Sequence, residues 1–162
     1  MAPAHTSRDV TRDRGGASRT IARLVAAALV LAGGIVHLDL YLHGYRHVSN
    51  HNLGLSFLAN VIASFVIAGA LVLADRRPIY IAGIALADGS LVAFAKSRTA
   101  SGIFGLTERG WQPSPQAALA VGAELAAAIL LLALLASRTT TLLRDAPVDA
   151  STTTVGRAPT DR

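Results

Sequence analysis

The stretch QAALAVGAELAAAILLLALLA, residues 116–136, decides the fold. It is apolar over about 20 residues, the length that a helix needs to cross a bilayer, and one carboxylate, Glu124, lies near its middle. Three further apolar runs accompany it, so the pattern predicts an all-α integral membrane protein, a four-helix up-and-down bundle. The predicted spans are at about residues 24–42, 53–74, 78–95 and 115–136.

The composition supports burial in a membrane rather than around a soluble core. Hydrophobic residues make up 52% of the 162 residues, charged residues make up 15%, and the mean hydropathy is +0.46. We predict one transmembrane domain over residues 21–136, flanked by disordered cytoplasmic tails at residues 1–20 and 137–162. No small-x-small cleavage motif follows the first run, which favours an uncleaved span over a signal peptide.

The distribution of positive charge predicts the orientation. Eleven of the fifteen Arg and Lys residues fall in or next to the two tails and in the turn between spans two and three. The positive-inside rule then places both termini in the cytoplasm of a multi-pass protein of the cell membrane. The net charge of +5 comes from scattered Arg residues without a basic helix, so we expect no nucleic-acid partner. The lipid bilayer is the expected partner, and other membrane subunits or a homo-oligomer remain open.

Four polar side chains within the predicted spans are the candidate functional residues. Counting about 1.5 Å per residue places all four roughly 8–13 Å below the outer surface. Charged groups inside a bilayer are costly and usually mark a site or pair with one another. We therefore expect these four side chains to converge on a polar pocket that opens outward, as a ligand-binding, proton or ion site. They are His37, Asn60, Asp88 and Glu124.

Four alternatives remain open for this polar layer. The four groups could hydrogen-bond across the helices and fix the register of the bundle, bind a ligand such as a quinone, move protons or cations, or hold a metal or haem. Two carboxylates at one depth cannot comfortably both be charged in a low dielectric. We therefore expect one of them to be protonated, unless His37 or a bound cation compensates.

The first outer loop contains a second group of polar residues. His43, His47 and His51 are four residues apart and would share a face if the helix continued, which would suit a metal. Gly44 and the neighbouring Asn and Ser residues favour a turn instead, so we expect no metal there. The absence of cysteine excludes disulfides and Cys-based metal sites, and no catalytic or nucleotide-binding motif occurs. We expect no cofactor and no enzymatic activity.

Three segments carry a resemblance to a known group: GGIVHLDLYLHGYRH, LGLSFLANVIASFVIAGALVL and GIFGLTERGWQPSPQAALAVGAELAAA. Together they resemble uncharacterised small four-transmembrane-helix integral membrane proteins of actinobacteria. The most specific pieces are the His-Leu-x-Leu run at His37, the Leu-x-Asn at Asn60, and Gly110-Trp111 before Pro113-Ser114-Pro115. The resemblance implies a four-span fold and a membrane location, and it assigns no activity.

These observations favour a non-enzymatic membrane protein, either an accessory subunit or a binder of a lipid or small ligand. One alternative is a small proton- or cation-coupled transporter that uses Asp88 and Glu124. Another is a quinone-linked membrane redox component.

Overall fold

The computed structural model describes residues 6–47 and 50–144, and most of these residues are helical, as predicted. A short 3-10 helix, Tyr45–His47, follows the first α-helix. The prediction of an all-α bundle built on four long apolar helices is confirmed. The helices are α1 (Thr6–His43), α2 (His51–Leu73), α3 (Arg77–Ser97) and α4 (Gln116–Arg144).

All four helices contain a segment that is long and apolar enough to cross a membrane. Their outward surfaces are apolar as well, since Val66, Leu73 and Ile129 are 65%, 87% and 67% exposed. A soluble helix would place polar side chains there. This arrangement is that of a multi-pass membrane protein. The four segments are Gly16–His43, His51–Leu73, Arg77–Ser97 and Gln116–Arg138.

The first and last helices are longer than the predicted spans. α1 begins at Thr6 and α4 ends at Arg144, so both helices continue into segments that we predicted to be disordered tails. Extending a helix costs much less than nucleating one, because each added residue gains a backbone hydrogen bond. The other parts of the predicted tails, residues 1–5 and 145–162, lie outside the described residues.

The two ends of the bundle differ in their packing. We call the end with the α2–α3 turn the terminal end, and the end with the 3-10 helix and segment 98–115 the loop end. The terminal half has a closed core in which Leu71, Tyr80 and Leu131 are fully buried. α1 packs extensively against α2 and α4, and α3 against α4, whereas α2 and α3 contact each other much less. The bundle is therefore more open on its α2–α3 side.

A close approach of α1 and α2 joins the two halves. A Cβ atom built on Gly34 would lie 2.5 Å from the Cβ atom of Ser64, well inside van der Waals contact. Small residues at such crossings let two membrane helices pack backbone to backbone. This contact holds α2 against α1 at the depth of the polar residues described next.

Candidate functional site: a cavity at the loop end

A hydrogen-bonded chain of polar side chains crosses the middle of the bundle. Ser64 donates its hydroxyl proton to Asn60 Oδ1 at 3.2 Å, and Asn60 Nδ2 donates to Ser90 Oγ at 2.6 Å. Ser90 in turn hydrogen-bonds to Glu124, which is 8% exposed. The chain thus joins α2, α3 and α4, and its successive donors point toward the Glu124 carboxyl group.

His37 brings α1 to the same place. Its Nδ1 atom lies 2.9 Å from the Gly33 carbonyl oxygen, and because a carbonyl can only accept, Nδ1 carries a proton. Its Nε2 atom faces Glu124 Oε1 at 3.7 Å, a distance beyond a direct hydrogen bond. The ring also packs against Phe57, with centroids 5.5 Å apart. His37 and Glu124 thus form a polar pair whose facing atoms do not hydrogen-bond to each other directly.

The structure corrects the fourth member of the predicted layer. His37, Asn60 and Glu124 all line one cavity, but Asp88 is exposed on the outer surface of α3 and does not line it. Successive helical residues turn by about 100°, so Ser90 lies roughly 200° around the helix from Asp88. One of the two must face outward when the other faces inward. Ser90, which sequence analysis missed, takes the inward place.

The cavity has a volume of about 420 Å³ and extends from this polar layer to the loop end. This is the size of a pocket for a small organic ligand rather than for an ion or a whole phospholipid. Exposed residues of α2 and α3, among them Ala59 and Gly89, also line it, so the cavity opens sideways between these two helices. Its wall is largely apolar and includes Leu40, Leu53, Phe57, Leu86, Phe94 and Val121.

The two loops join over the loop end of the cavity. Tyr45 donates its hydroxyl proton to Glu108 Oε1 at 2.7 Å, and Asn50 Nδ2 donates to the Phe104 carbonyl oxygen at 2.7 Å. Burial, together with the hydrogen bond to Glu108, raises the pKa of the Tyr45 hydroxyl above its ordinary value. These bonds tie the segment after α1 to the segment before α4. The loops therefore form a cap rather than two separate connections.

Arg98 and Trp111 complete this cap. The Arg98 guanidinium lies 3.7 Å from the centroid of the Phe94 ring and donates to the carbonyl oxygens of Gly110 and Gln112. Trp111 packs against Phe94 with centroids 5.5 Å apart. Through this contact the structure places Trp111 beside a residue that lines the cavity.

The loop histidines do not share a helical face. α1 ends at His43, and Gly44 separates it from the 3-10 helix, while His51 begins α2. His43 Nδ1 pairs with Asp39 Oδ1 at 2.8 Å, and His47 Nε2 accepts from Arg46 at 2.8 Å. Over residues 6–47 and 50–144, no group of three His, Cys, Asp or Glu side chains is close enough to hold a metal ion.

An ionic cluster at the terminal end was likewise not predicted from the sequence. Asp75, in the α2–α3 turn, pairs with Arg19 of α1 and Arg138 of α4, each at 3.0 Å, and it accepts from the hydroxyl of Tyr80. Partial burial acts to raise the pKa of Asp75, but the hydrogen bonds from Arg19, Tyr80 and Arg138 outweigh it and lower the pKa to about 2. The cluster joins three helices at this end. The cluster is not evident in the sequence, because Arg19 and Arg138 are 56 and 63 residues from Asp75.

Comparison with known proteins gave no relative: no family model, no curated protein and no solved structure matches this chain. The resemblance to small actinobacterial membrane proteins therefore stays a prediction.

Proposed function

We propose that this protein binds an uncharged amphipathic small molecule in the loop-end cavity, without catalysis. The observation that carries the proposal is an apolar cavity of about 420 Å³ that ends on the His37–Glu124 pair. Ligand sites commonly combine an apolar wall with a few polar groups that orient the ligand. Here the apolar body of a ligand would contact the wall, and its polar end would meet the pair.

The chemistry of the pair favours an uncharged polar end. One proton held between the imidazole Nε2 and the carboxyl group leaves the pair neutral overall, as a neutral imidazole beside a carboxylic acid or as imidazolium beside carboxylate. A hydroxyl, carbonyl or amide could lie beside the pair, off the line joining Nε2 and Oε1, and hydrogen-bond to it, since these atoms are 3.7 Å apart and do not bond each other directly. An anion at the pair would meet the acceptor oxygens of Glu124 and Asn60. Arg98 also lines the cavity, but it lies eight residues beyond Ser90, roughly 12 Å away at the loop end. Burying an anion at the pair would therefore leave it without an adjacent counterion, at a cost of several kcal/mol, on the order of an unpaired buried ion.

The route of entry follows from the gap between α2 and α3. Small residues line both edges of the gap, Ala59 and Ala63 on α2, and Ala85 and Gly89 on α3. A molecule dissolved in the bilayer can pass such an opening without crossing the loop cap. By the positive-inside rule the cavity lies in the outer half of the cell membrane, with both termini in the cytoplasm. Reporter fusions after Ala74 and after Lys96 should then read cytoplasmic and external, and the reverse would refute this orientation.

A transporter is less well supported. It needs a path to the terminal end, but that half of the bundle is filled by a buried core that includes Leu71, Tyr80 and Leu131. Asp88 and Glu124 also lie on different faces, so they do not form one carboxylate pair. A quinone belongs to the proposed ligand class, because it combines two carbonyl oxygens with an apolar tail. A redox role would follow if a quinone is the molecule that co-purifies.

The bound molecule can be sought directly and with an internal probe. Mass spectrometry of a solvent extract of the purified protein should find an uncharged amphiphile at a fixed ratio to protein. Trp111 is the single tryptophan of the chain and lies next to the cavity-lining Phe94. A brominated long-chain alcohol should therefore quench its fluorescence saturably, and more strongly than the matching brominated carboxylate or quaternary amine.

Two leucine substitutions on α2 provide the control. Ala63 lines the cavity, whereas Ala70, seven residues further along nearly the same face, does not. Ala63→Leu should weaken binding of the alcohol, measured by quenching, by about tenfold. The larger side chain fills space that would otherwise bury one or two methylene groups of the ligand, whereas Ala70→Leu should have no such effect. Equal quenching by all three head groups, unchanged in Ala63→Leu, would mean simple partition into the detergent and would refute the proposal.

A further inference from the structure

Asp88 is a carboxylate on the surface that the bundle turns toward the membrane. It lies eleven residues after Arg77 and nine before Ser97, so roughly 16 and 14 Å from the two ends of α3 at about 1.5 Å per residue. Its short side chain cannot reach either end from there. No hydrogen bond or ion pair joins it to another residue within 6–47 and 50–144. Intramembrane carboxylates nearly always have a partner or face a polar cavity, and Asp88 has neither among the residues that the structure describes.

The residues around Asp88 form a continuous stripe along α3. Ile81, Ala85, Asp88 and Val92 recur at intervals of three and four, the spacing of one helical face, and all four are exposed. Ala85 leaves room beside Asp88 for the backbone of another helix, as small residues do at contacts between membrane helices. Because Ala85 also lines the α2–α3 gap, a docked helix would lie along the edge of that opening. We call these four residues the Asp88 stripe.

We propose that the Asp88 stripe docks a transmembrane helix of another membrane protein, one that carries Lys or Arg near the middle of its span. Charge complementarity argues for this occupant. The carboxylate needs a cation or hydrogen-bond donor at mid-depth, and Lys96, the nearest basic residue on α3, lies eight residues or roughly 12 Å away. A helix with a central basic residue supplies the missing positive charge, and its own cation is no longer unpaired within the membrane.

A second copy of this chain fits less well. Copies of a membrane protein insert with one orientation, so a two-fold axis between them runs along the membrane normal. The stripe of one copy would then face the same stripe of the other, and Asp88 would meet Asp88 at equal depth. Two like charges repel there, and neither copy brings a cation to the contact.

The test uses the full-length protein in phosphatidylcholine nanodiscs with a designed peptide. The chain has no cysteine, so a Ser101→Cys variant takes one donor dye in an exposed loop. The acceptor is on a Leu/Ala transmembrane peptide with a central Lys, and matched peptides carry Leu at the centre or Lys seven residues away. Energy transfer should show about tenfold tighter association for the central Lys peptide, the scale of one interhelical polar contact in a membrane.

Charge exchange and a steric block make the test specific. Asp88→Asn should lose the preference for the central Lys, and Asp88→Lys should restore it toward a peptide with a central Asp. Val92→Trp should block association, whereas Ile129→Trp on α4 should not, although both native residues are 67% exposed. Equal binding of the Lys and Leu peptides would overturn the proposal. So would energy transfer between two copies of the protein that Val92→Trp abolishes, because a second copy would then be the occupant.

Discussion

The adjacent glycines of α1 allow the close α1–α2 approach to be tested with a matched pair of substitutions. A Cβ atom on Gly34 would lie 2.5 Å from Ser64 Cβ and 3.1 Å from Ser64 Oγ, whereas one on Gly33 would lie 3.9 Å from Glu124 Cγ. Carbon atoms pack at about 3.5–4.0 Å, so Gly34→Ala forces the two helices apart by about 1 Å. Ser64 Cβ is fixed to the backbone and cannot rotate away. Gly33→Ala makes an ordinary contact and needs no shift.

The two substitutions change the stability of the protein in the same way, except for the steric clash in Gly34→Ala. Replacing Gly by Ala within a helix stabilises it by about 0.5–1 kcal/mol in both cases. Overpacking costs about 1–3 kcal/mol and applies to Gly34→Ala alone. We therefore expect Gly34→Ala to be less stable than Gly33→Ala by about 1–3 kcal/mol, and Gly33→Ala to be as stable as the native protein or slightly more stable.

Unfolding by SDS from mild-detergent micelles, followed by far-UV circular dichroism, measures this difference. Ser64→Gly should remove the clash, so the double variant should recover stability relative to the sum of the two single changes. That cycle separates the steric effect from loss of the Ser64 hydroxyl, which bonds Asn60. If Gly34→Ala and Gly33→Ala unfold at the same SDS fraction, α1 and α2 do not approach as closely as described.

Three further predictions concern the ionic cluster, the loop cap and the polar chain. Asp75→Asn should destabilise the protein at neutral pH, because the ionised Asp75 has a folded-state pKa lowered to about 2. The difference in stability from the native protein should vanish as the pH falls from about 4 through about 2, and unfolding midpoints across this range measure that difference. Tyr45→Phe removes the hydrogen bond to Glu108 and should weaken the cap by about 1 kcal/mol, seen as faster hydrogen exchange in segment 98–115 while the helices are unchanged. Glu124→Gln keeps an acceptor for Ser90 and should unfold close to the native midpoint, whereas Glu124→Leu should lose about 1–3 kcal/mol, and equal losses would argue that the negative charge itself is required.

The sequence predicts the architecture well because the bilayer imposes a length and a composition on each span. An apolar run of about 20 residues has few folds open to it, so helix number and approximate bounds follow directly. The outer limits of α1 and α4 do not follow, because a polar, Arg-rich segment can be helical or disordered beyond the membrane, depending on the helix it continues. The cluster at Asp75 is hidden for another reason. Its ionic partners are brought in by tertiary packing from Arg19 and Arg138, far along the chain.

Whether a polar residue could be placed correctly from the sequence depended on how many other polar residues its helix has at a similar depth. In the apolar part of α4, residues 116–136, Glu124 is the single ionisable residue and its neighbours are small and apolar, so its inward position could be predicted. Asn60 shares its stripe with Ser64, and the two indeed bond to each other. The middle of α3 offers two polar residues, Asp88 and Ser90, on opposite faces, and charge alone favoured Asp88, which does not line the cavity.

The error on α3 has a physical explanation that connects the two proposals. A hydroxyl is satisfied by one donor and one acceptor, and Ser90 finds both within the bundle, in Asn60 and Glu124. Placing Asp88 there instead would set a second carboxylate beside Glu124 with no cation to balance it. The bundle therefore buries the Ser90 hydroxyl and leaves the Asp88 carboxylate on the outside, where another molecule must supply its cation or hydrogen-bond donor. On this argument, an Asp88→Leu variant should keep its cavity and its stability while losing its partner helix, and a loss of ligand quenching in that variant would show that the two faces of α3 are coupled.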